Sequence, residues 1–195
     1  MPRLLSVTVL ALATSLALVG CSASPPAGPS EPDPGTTNSS EPGVAPATGE
    51  TIMGDGYSFV APDGWSAPEG FEKPAGVDTF VANLADSDGF ADNVNVLLSP
   101  AGEVTPEQIE SDGVAELEAA GATNVTVRDR VMVAGAESAQ LSAAFTSGSA
   151  QYQIEQIYAT RAGQTFVVTF SFSSTVPEAD RSALTSSVLA TWSWS

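Results

Sequence analysis

Phe166-Val167-Val168-Thr169-Phe170-Ser171-Phe172 alternates, with Phe166, Val168, Phe170 and Phe172 on one side and Thr169 and Ser171 on the other. A period of two is the pattern of a strand with one buried face. The run is entered through the turn Arg161-Ala162-Gly163-Gln164, and before that turn Tyr152, Ile154, Gln156 and Tyr158 alternate in the same way. A further turn, Thr146-Ser147-Gly148-Ser149, separates these from Ala139, Leu141, Ala143 and Phe145. Successive strands joined by tight turns pair as neighbours in an antiparallel sheet.

Working outward, Val125, Val127, Val131 and Val133 flank Arg128-Asp129-Arg130. Shorter alternating runs lie nearer the N-terminus: Val94, Val96 and Leu98; Phe80, Ala82 and Leu84; and Tyr57, Phe59 and Ala61, the last followed by a Pro62-Asp63-Gly64 turn and Trp65. Two helices interrupt the strands. Thr105-Pro106-Glu107-Gln108 is a capping-box start with proline in the first helical position, Ile109, Gly113, Leu117 and Ala120 recur at helical spacing, and Gly121 offers a stop. A second start is expected at Thr175-Val176-Pro177-Glu178, with Leu184, Val188 and Trp192 as its apolar stripe almost to the C-terminus. The fold class expected is α+β: an antiparallel sheet, apolar on one face and polar on the other, with both helices packed on the apolar face.

The first fifty residues are of another kind. Arg3 precedes an apolar run from Leu4 to about Val19, and Leu18-Val19-Gly20-Cys21 closes it on the only cysteine. That is the layout of a lipoprotein signal peptide over residues 1–20, cut after Gly20, with Cys21 as the acylated residue. The run is too short and wrongly flanked for a stable membrane-spanning helix. More than one acyl chain on Cys21 gives stable anchoring where a single chain is marginal. Residues 22–50 are Pro, Gly, Ser, Thr, Ala and acidic residues, a composition that cannot bury enough surface to order itself, so 21–50 is expected to be a disordered tether. Residues 51–195 are expected to be a single domain. The protein is thus placed at the extracytoplasmic face of the cell membrane, with the membrane as one partner through acyl chains on Cys21.

Composition narrows the chemistry. The net charge is −17, and of six Lys and Arg residues one is Arg3, which leaves five after the signal peptide. Such a field repels phosphate backbones and excludes nucleic acid as a partner. There is no histidine, which removes Ser-His-Asp and Cys-His catalysis and His-ligated zinc. Lys73, the only lysine, sits beside Glu72, a setting that favours the charged amine over the neutral one a Ser-Lys dyad requires. Glu107 and Glu178 are accounted for by helix N-termini. No catalytic residue and no cofactor are expected.

The order of Tyr57-Ser58-Phe59-Val60-Ala61-Pro62-Asp63-Gly64-Trp65, Asn93-Val94-Asn95-Val96, the Thr-Pro-Glu helix start and Val133-Ala134-Gly135-Ala136-Glu137-Ser138-Ala139-Gln140-Leu141 resembles the LpqN/LpqT-type lipoproteins of actinobacteria. The resemblance spans about residues 52 to 195. It implies a Mog1/PsbP-like domain, an antiparallel sheet sandwiched by helices, and a cell-envelope lipoprotein tied to protein–protein contacts. It brings no catalytic residues.

Two places remain as candidate sites. Asp86, Asp88 and Asp92, around Gly89 and beside Asn93, are hard oxygen ligands for Ca²⁺, although their spacing departs from the EF-hand loop and also suits a solvated hairpin loop. Trp65, Phe71 and Phe90, with the loops Glu69 to Val77 and Asp86 to Asn93, form a candidate binding surface. The function expected is a non-enzymatic, membrane-anchored lipoprotein making contacts with an envelope or extracellular protein. The alternative is a small-molecule or lipid binder with a cavity between sheet and helices. Phe166, Phe170 and Phe172 are expected in the core.

Overall fold

In the computed structural model, which describes residues 44–195, the long strands form the meander that their turns demand. The elements are β1 (Thr51–Gly54), β2 (Tyr57–Val60), β3 (Val77–Ala82), β4 (Asn93–Leu98), α1 (Pro106–Ala119), β5 (Thr123–Val127), β6 (Val131–Val133), β7 (Ala136–Ser147), β8 (Ala150–Arg161), β9 (Gln164–Ser173), α2 (Glu178–Leu189) and β10 (Ser193–Trp194). A seven-stranded sheet runs β3-β4-β9-β8-β7-β5, with β6 also paired to β7, and a three-stranded sheet runs β1-β2-β10. Every pairing is antiparallel.

Two-residue turns set the register. Ala162 and Gly163 both have positive φ, as a type I′ hairpin requires, and Arg161 faces Gln164 across the turn. Ala134-Gly135 repeats the arrangement between β6 and β7. From the β8–β9 turn it follows that Val168 lies opposite Ile157, and Thr169 opposite Gln156. In turn Gln156 lies opposite Leu141. The apolar residues of β7 and those of β9 therefore stand on opposite faces of the sheet.

This corrects the one-sided sheet expected from the sequence. On one face Phe166, Val168, Phe170 and Phe172 join Ile157, Val94, Val96 and Val81 in the larger core, closed by Tyr57, Phe59, Val188, Leu189 and Trp192. On the other, Ala139, Leu141, Ala143 and Ile154 pack under Ile109 and Leu117 of α1. The helices lie on opposite faces, and β8 is apolar on both, through Ile154 on one side and Ile157 and Ala159 on the other. The sequence pattern hides this because the hydroxyl-bearing face of β9 resembles a solvent face.

Each helix is explained by its local chemistry. Thr105 caps α1 as expected: its Oγ1 accepts from Gln108 N at 3.3 Å, and Gln108 Oε1 accepts from Thr105 N at 2.9 Å. Gly113 lets the helix press onto the sheet, since a Cβ there would stand 2.7 Å from Leu141 Cδ1. α2 departs from expectation at both ends. Pro177 is its N-cap residue and, having no side-chain acceptor, makes no side-chain cap; the Thr175 hydroxyl, two residues earlier, donates instead to Asp88 Oδ2 at 3.2 Å. The helix ends at Leu189, and Trp192 follows in the turn before β10, stacked 4.6 Å from the Tyr57 ring. The Tyr57 hydroxyl and Thr79 Oγ1 are 2.8 Å apart in a hydrogen bond inside the core.

Smaller corrections concern β3 and the domain start. A register shift between Val77 and Thr79 turns Thr79 and Val81 inward, so Phe80 stands on the other face, and Leu84 is exposed beyond the strand. Ala47 N donates to Ser187 O and Gly49 N to Ala61 O, each at 2.9 Å, so the folded part reaches back before Thr51. Residues 1–43, on which the expected signal peptide and most of the expected tether fall, lie outside the described residues.

Two substitutions test this packing in urea unfolding. Gly113→Val should destabilise by about 1–3 kcal/mol through overpacking against Leu141. Ala162→Asn should stabilise by about 0.5–1 kcal/mol, because asparagine adopts the left-handed conformation of this turn at less cost than alanine.

Candidate functional site

α1 packs over β5 and β7, and on that face β9, β4 and β3 carry no helix. Cross-strand pairing arranges the uncovered side chains in rows. Phe80, Asn95, Thr169 and Gln156 follow one another across β3, β4, β9 and β8. Leu97, Val167 and Tyr158 form the next row. All seven are half-buried. The Tyr158 hydroxyl donates to Gln156 Oε1 at 2.6 Å, and Gln156 Nε2 donates to Thr169 Oγ1 at 2.9 Å. Between α1 and the β8–β9 end of this floor lies an open cleft of about 380 Å³, lined by Gln108, Asp112 and Glu116 on the helix side and by Gln156, Tyr158 and Val167 on the sheet side, while Phe80, Asn95 and Thr169 lie outside it. Burial, with the nearby Glu116 carboxylate, pushes the Tyr158 phenol up to about 12.

The sequence-predicted residues are distributed around this face unevenly. Phe71 is 41 % exposed and stacks on Phe80 with ring centroids 4.5 Å apart. Phe90 stacks on Tyr152 at 5.0 Å, and Tyr152 on Phe145 at 5.6 Å. Trp65 is only 6 % exposed and belongs to the larger core, so it is no part of a binding surface. The sequence carries no site signal at Asn95, Gln156 or Thr169: Asn95 and Thr169 alternate with apolar residues as on a solvated strand face, Gln156 stands in the Tyr152, Ile154, Tyr158 set, and only the register brings the three together.

The aspartates of the Asp86–Asp92 loop are engaged with the chain. Asp92 Oδ1 accepts from Ser173 N at 2.7 Å, Asp86 Oδ2 from Asp92 N at 2.9 Å, and Asp88 Oδ1 from Phe90 N at 3.1 Å. Burial raises the Asp92 carboxyl, while the Ser173 hydroxyl and the Phe90 amide hold that of Asp88 below its usual range. Among the described residues no group of three or more His, Cys, Asp or Glu is placed to hold a metal ion. These contacts suit a hairpin loop fastened to β9. Cys21 and the cleavage residues Leu18, Val19 and Gly20 lie outside the described residues.

Among the described residues each of the five cations contacts another part of the chain. Arg130 reaches Glu110 at 2.6 Å, Glu107 at 2.7 Å and Glu137 at 3.4 Å, which ties the segment before β6 to α1. That contact holds the Glu110 carboxyl low; the Glu107 carboxyl is held low first by its own backbone amide and then by Arg130. Arg181 of α2 approaches the buried Glu155 at 3.5 Å, and Arg128 pairs with Glu178. The Arg161 guanidinium lies 5.5 Å from the Trp194 ring centroid, beside a second open cleft of about 260 Å³. Lys73 Nζ donates to the carbonyl of Asp78.

A twisted antiparallel sheet with a helix on each face and a small sheet closing one side defines the Mog1/PsbP-like class of fold. The solution structure of cyanobacterial PsbP (CyanoP) from Synechocystis is similar, with a TM-score of 0.50 at 18% identity, over 82% of this chain and 98% of that one. The Ran-binding protein Mog1p of Saccharomyces cerevisiae is similar at a TM-score of 0.52 and 11% identity, over 71% of this chain and 90% of that one. LpqN of Mycobacterium tuberculosis, a protein involved in cell envelope biogenesis, aligns at a TM-score of 0.46 and 13% identity, over 74% of this chain and 88% of that one. A Bacteroides thetaiotaomicron structure aligns at 0.43 and 13% identity over 71% of this chain, which spans only 45% of that one. Compared by sequence, the chain matches no protein-family model and no curated protein. No helix among the described residues is long and apolar enough to cross a membrane.

Tyr158 gives this face a pH signature. Its raised pKa favours the neutral phenol in the folded state, so that contribution to stability is complete below pH 10 and is lost as pH rises toward 12. Urea midpoints should therefore fall between pH 10 and pH 12, and the fall should be shallower in Tyr158→Phe.

Proposed function

We propose that this chain is a lipoprotein held at the extracytoplasmic face of the cell membrane by acyl chains on Cys21, with a non-enzymatic domain that makes protein contacts in the cell envelope. The observation that carries the reading is Leu18-Val19-Gly20-Cys21 at the end of a short apolar run, with the only cysteine of the chain at the acylation position. A tether of roughly 30 residues, rich in proline, gives the domain a reach of tens of ångströms from the bilayer. The absence of histidine from the chain and the engagement of the described cations in contacts within the domain support a binding role over catalysis. Mog1p is named for binding another protein, a use of the fold in keeping with this one.

A second reading, binding of a small molecule or lipid between sheet and helix, is favoured by the cleft of about 380 Å³ beside α1. Against it, Phe, Val and Leu side chains fill the interior on both faces of the sheet.

Globomycin should trap an uncleaved precursor, and Cys21→Ala should release the protein from the membrane fraction. Proximity crosslinking in the native cell should then enrich one envelope protein with the anchored form and not with the Cys21→Ala form. Normal processing under the drug would contradict the anchor. A copurified lipid in native mass spectra, with no enriched protein, would favour the second reading.

A further inference from the structure

We propose that the uncovered half of the sheet beside α1 is a binding site for an uncharged glycan. The inference goes beyond the anchoring and protein contacts above and does not depend on them. On a chain of net charge −17, the floor row Phe80, Asn95, Thr169 and Gln156 carries no charge at all. Two carboxamides and a hydroxyl offer donors and acceptors side by side, the complement of neighbouring sugar hydroxyls.

The floor is also set in advance. Tyr158 and Thr169 hold the Gln156 carboxamide at both ends. Thr169 Oγ1 is the acceptor from Gln156, which leaves its own O–H to donate outward. Binding to groups already fixed by the protein costs less ordering entropy. At one end of the row Phe71, a residue 41 % exposed, stacks on Phe80 and offers an apolar platform for the C–H face of a pyranose. At the other end of the row, where Gln156 enters the cleft beside α1, Asp112 and Glu116 add acceptors for hydroxyl donors.

Size and polarity choose the ligand. From β3 to β8 the row crosses three strand spacings, roughly 14 Å, the reach of a short oligosaccharide. A helical peptide would need apolar anchors at helical spacing, and an added strand would need an open sheet edge. The floor offers hydrogen-bonding groups in the middle of a sheet instead. The acidic rim opposes an anionic polymer.

The test uses the protein as purified from its native membrane or medium, kept in detergent. Side-chain carboxamide NMR signals of Asn95 and Gln156 are followed during titration with maltotetraose, cellotetraose and a galactan tetrasaccharide. Tetragalacturonate and a Lys/Leu helical peptide serve as the charged comparisons. At least one uncharged tetrasaccharide should shift both signals saturably, and Phe71→Ala should weaken it by about tenfold or more without changing the melting temperature. Asn95→Ala should also weaken binding in a protein that still gives a folded spectrum. The proposal is overturned if no tetrasaccharide shifts these signals at millimolar concentration, if binding persists in both folded variants, or if only the anion or the peptide occupies this face.

Discussion

The two-residue turn at Ala162-Gly163 is the constraint on which the rest of the molecule depends. By pairing Arg161 with Gln164 it places Ile157 opposite Val168 and Gln156 opposite Thr169. A slip of one residue would carry every side chain of β9 to the other face. With the register as it is, four large residues of β9 enter one core while Leu141 and Ala143 of β7 enter another. The sheet must then be covered twice. α2 and the small β1-β2-β10 sheet close the larger core, and α1 closes the smaller. Because the smaller core is concentrated under β7 and β8, α1 stops short of β9 and β4, and the polar floor there is left open.

The same asymmetry gives the molecule its division of labour. The side facing Tyr57 and Trp192 is a stack of rings, with Trp192 lying 4.6 Å from Tyr57 and 5.8 Å from Phe59 in nearly parallel planes. Its role is stability, in a domain that has no disulfide to help. The side facing α1 carries fixed hydrogen-bonding groups and an exposed ring. The negative charge is spread over loops, helix starts and the rim, where it discourages anionic partners and leaves the floor neutral.

Much of the architecture was legible in the sequence where a local signal agreed with its surroundings. The capping box at Thr105 and the hairpin turns did so, and α1 and the β7–β9 meander follow from them. Legibility failed where tertiary contact chose between local options. Thr175 looked like a helix cap, but its hydroxyl is drawn to Asp88 of a distant loop. Phe80 and Leu84 looked like an inward face until the shift at Val77–Thr79 reversed the strand. Trp65 follows a turn and reads as partly exposed, yet it is drawn into the larger core. The site suffered most: Asn95, Thr169 and Gln156 are far apart in the chain, and no spacing rule joins them before the strand order is known.

β9 has one sealed face and one accessible face, and Val167 and Val168 are adjacent reporters on opposite sides of it. Methyl relaxation in the presence of a neutral, soluble gadolinium chelate separates the two. Strong broadening is expected of the Val167, Thr169 and Leu97 methyls, and none at Val168, Ile157 or Val96. Equal protection of Val167 and Val168 would mean that the face beside α1 is covered and that the polar floor is not open to solvent.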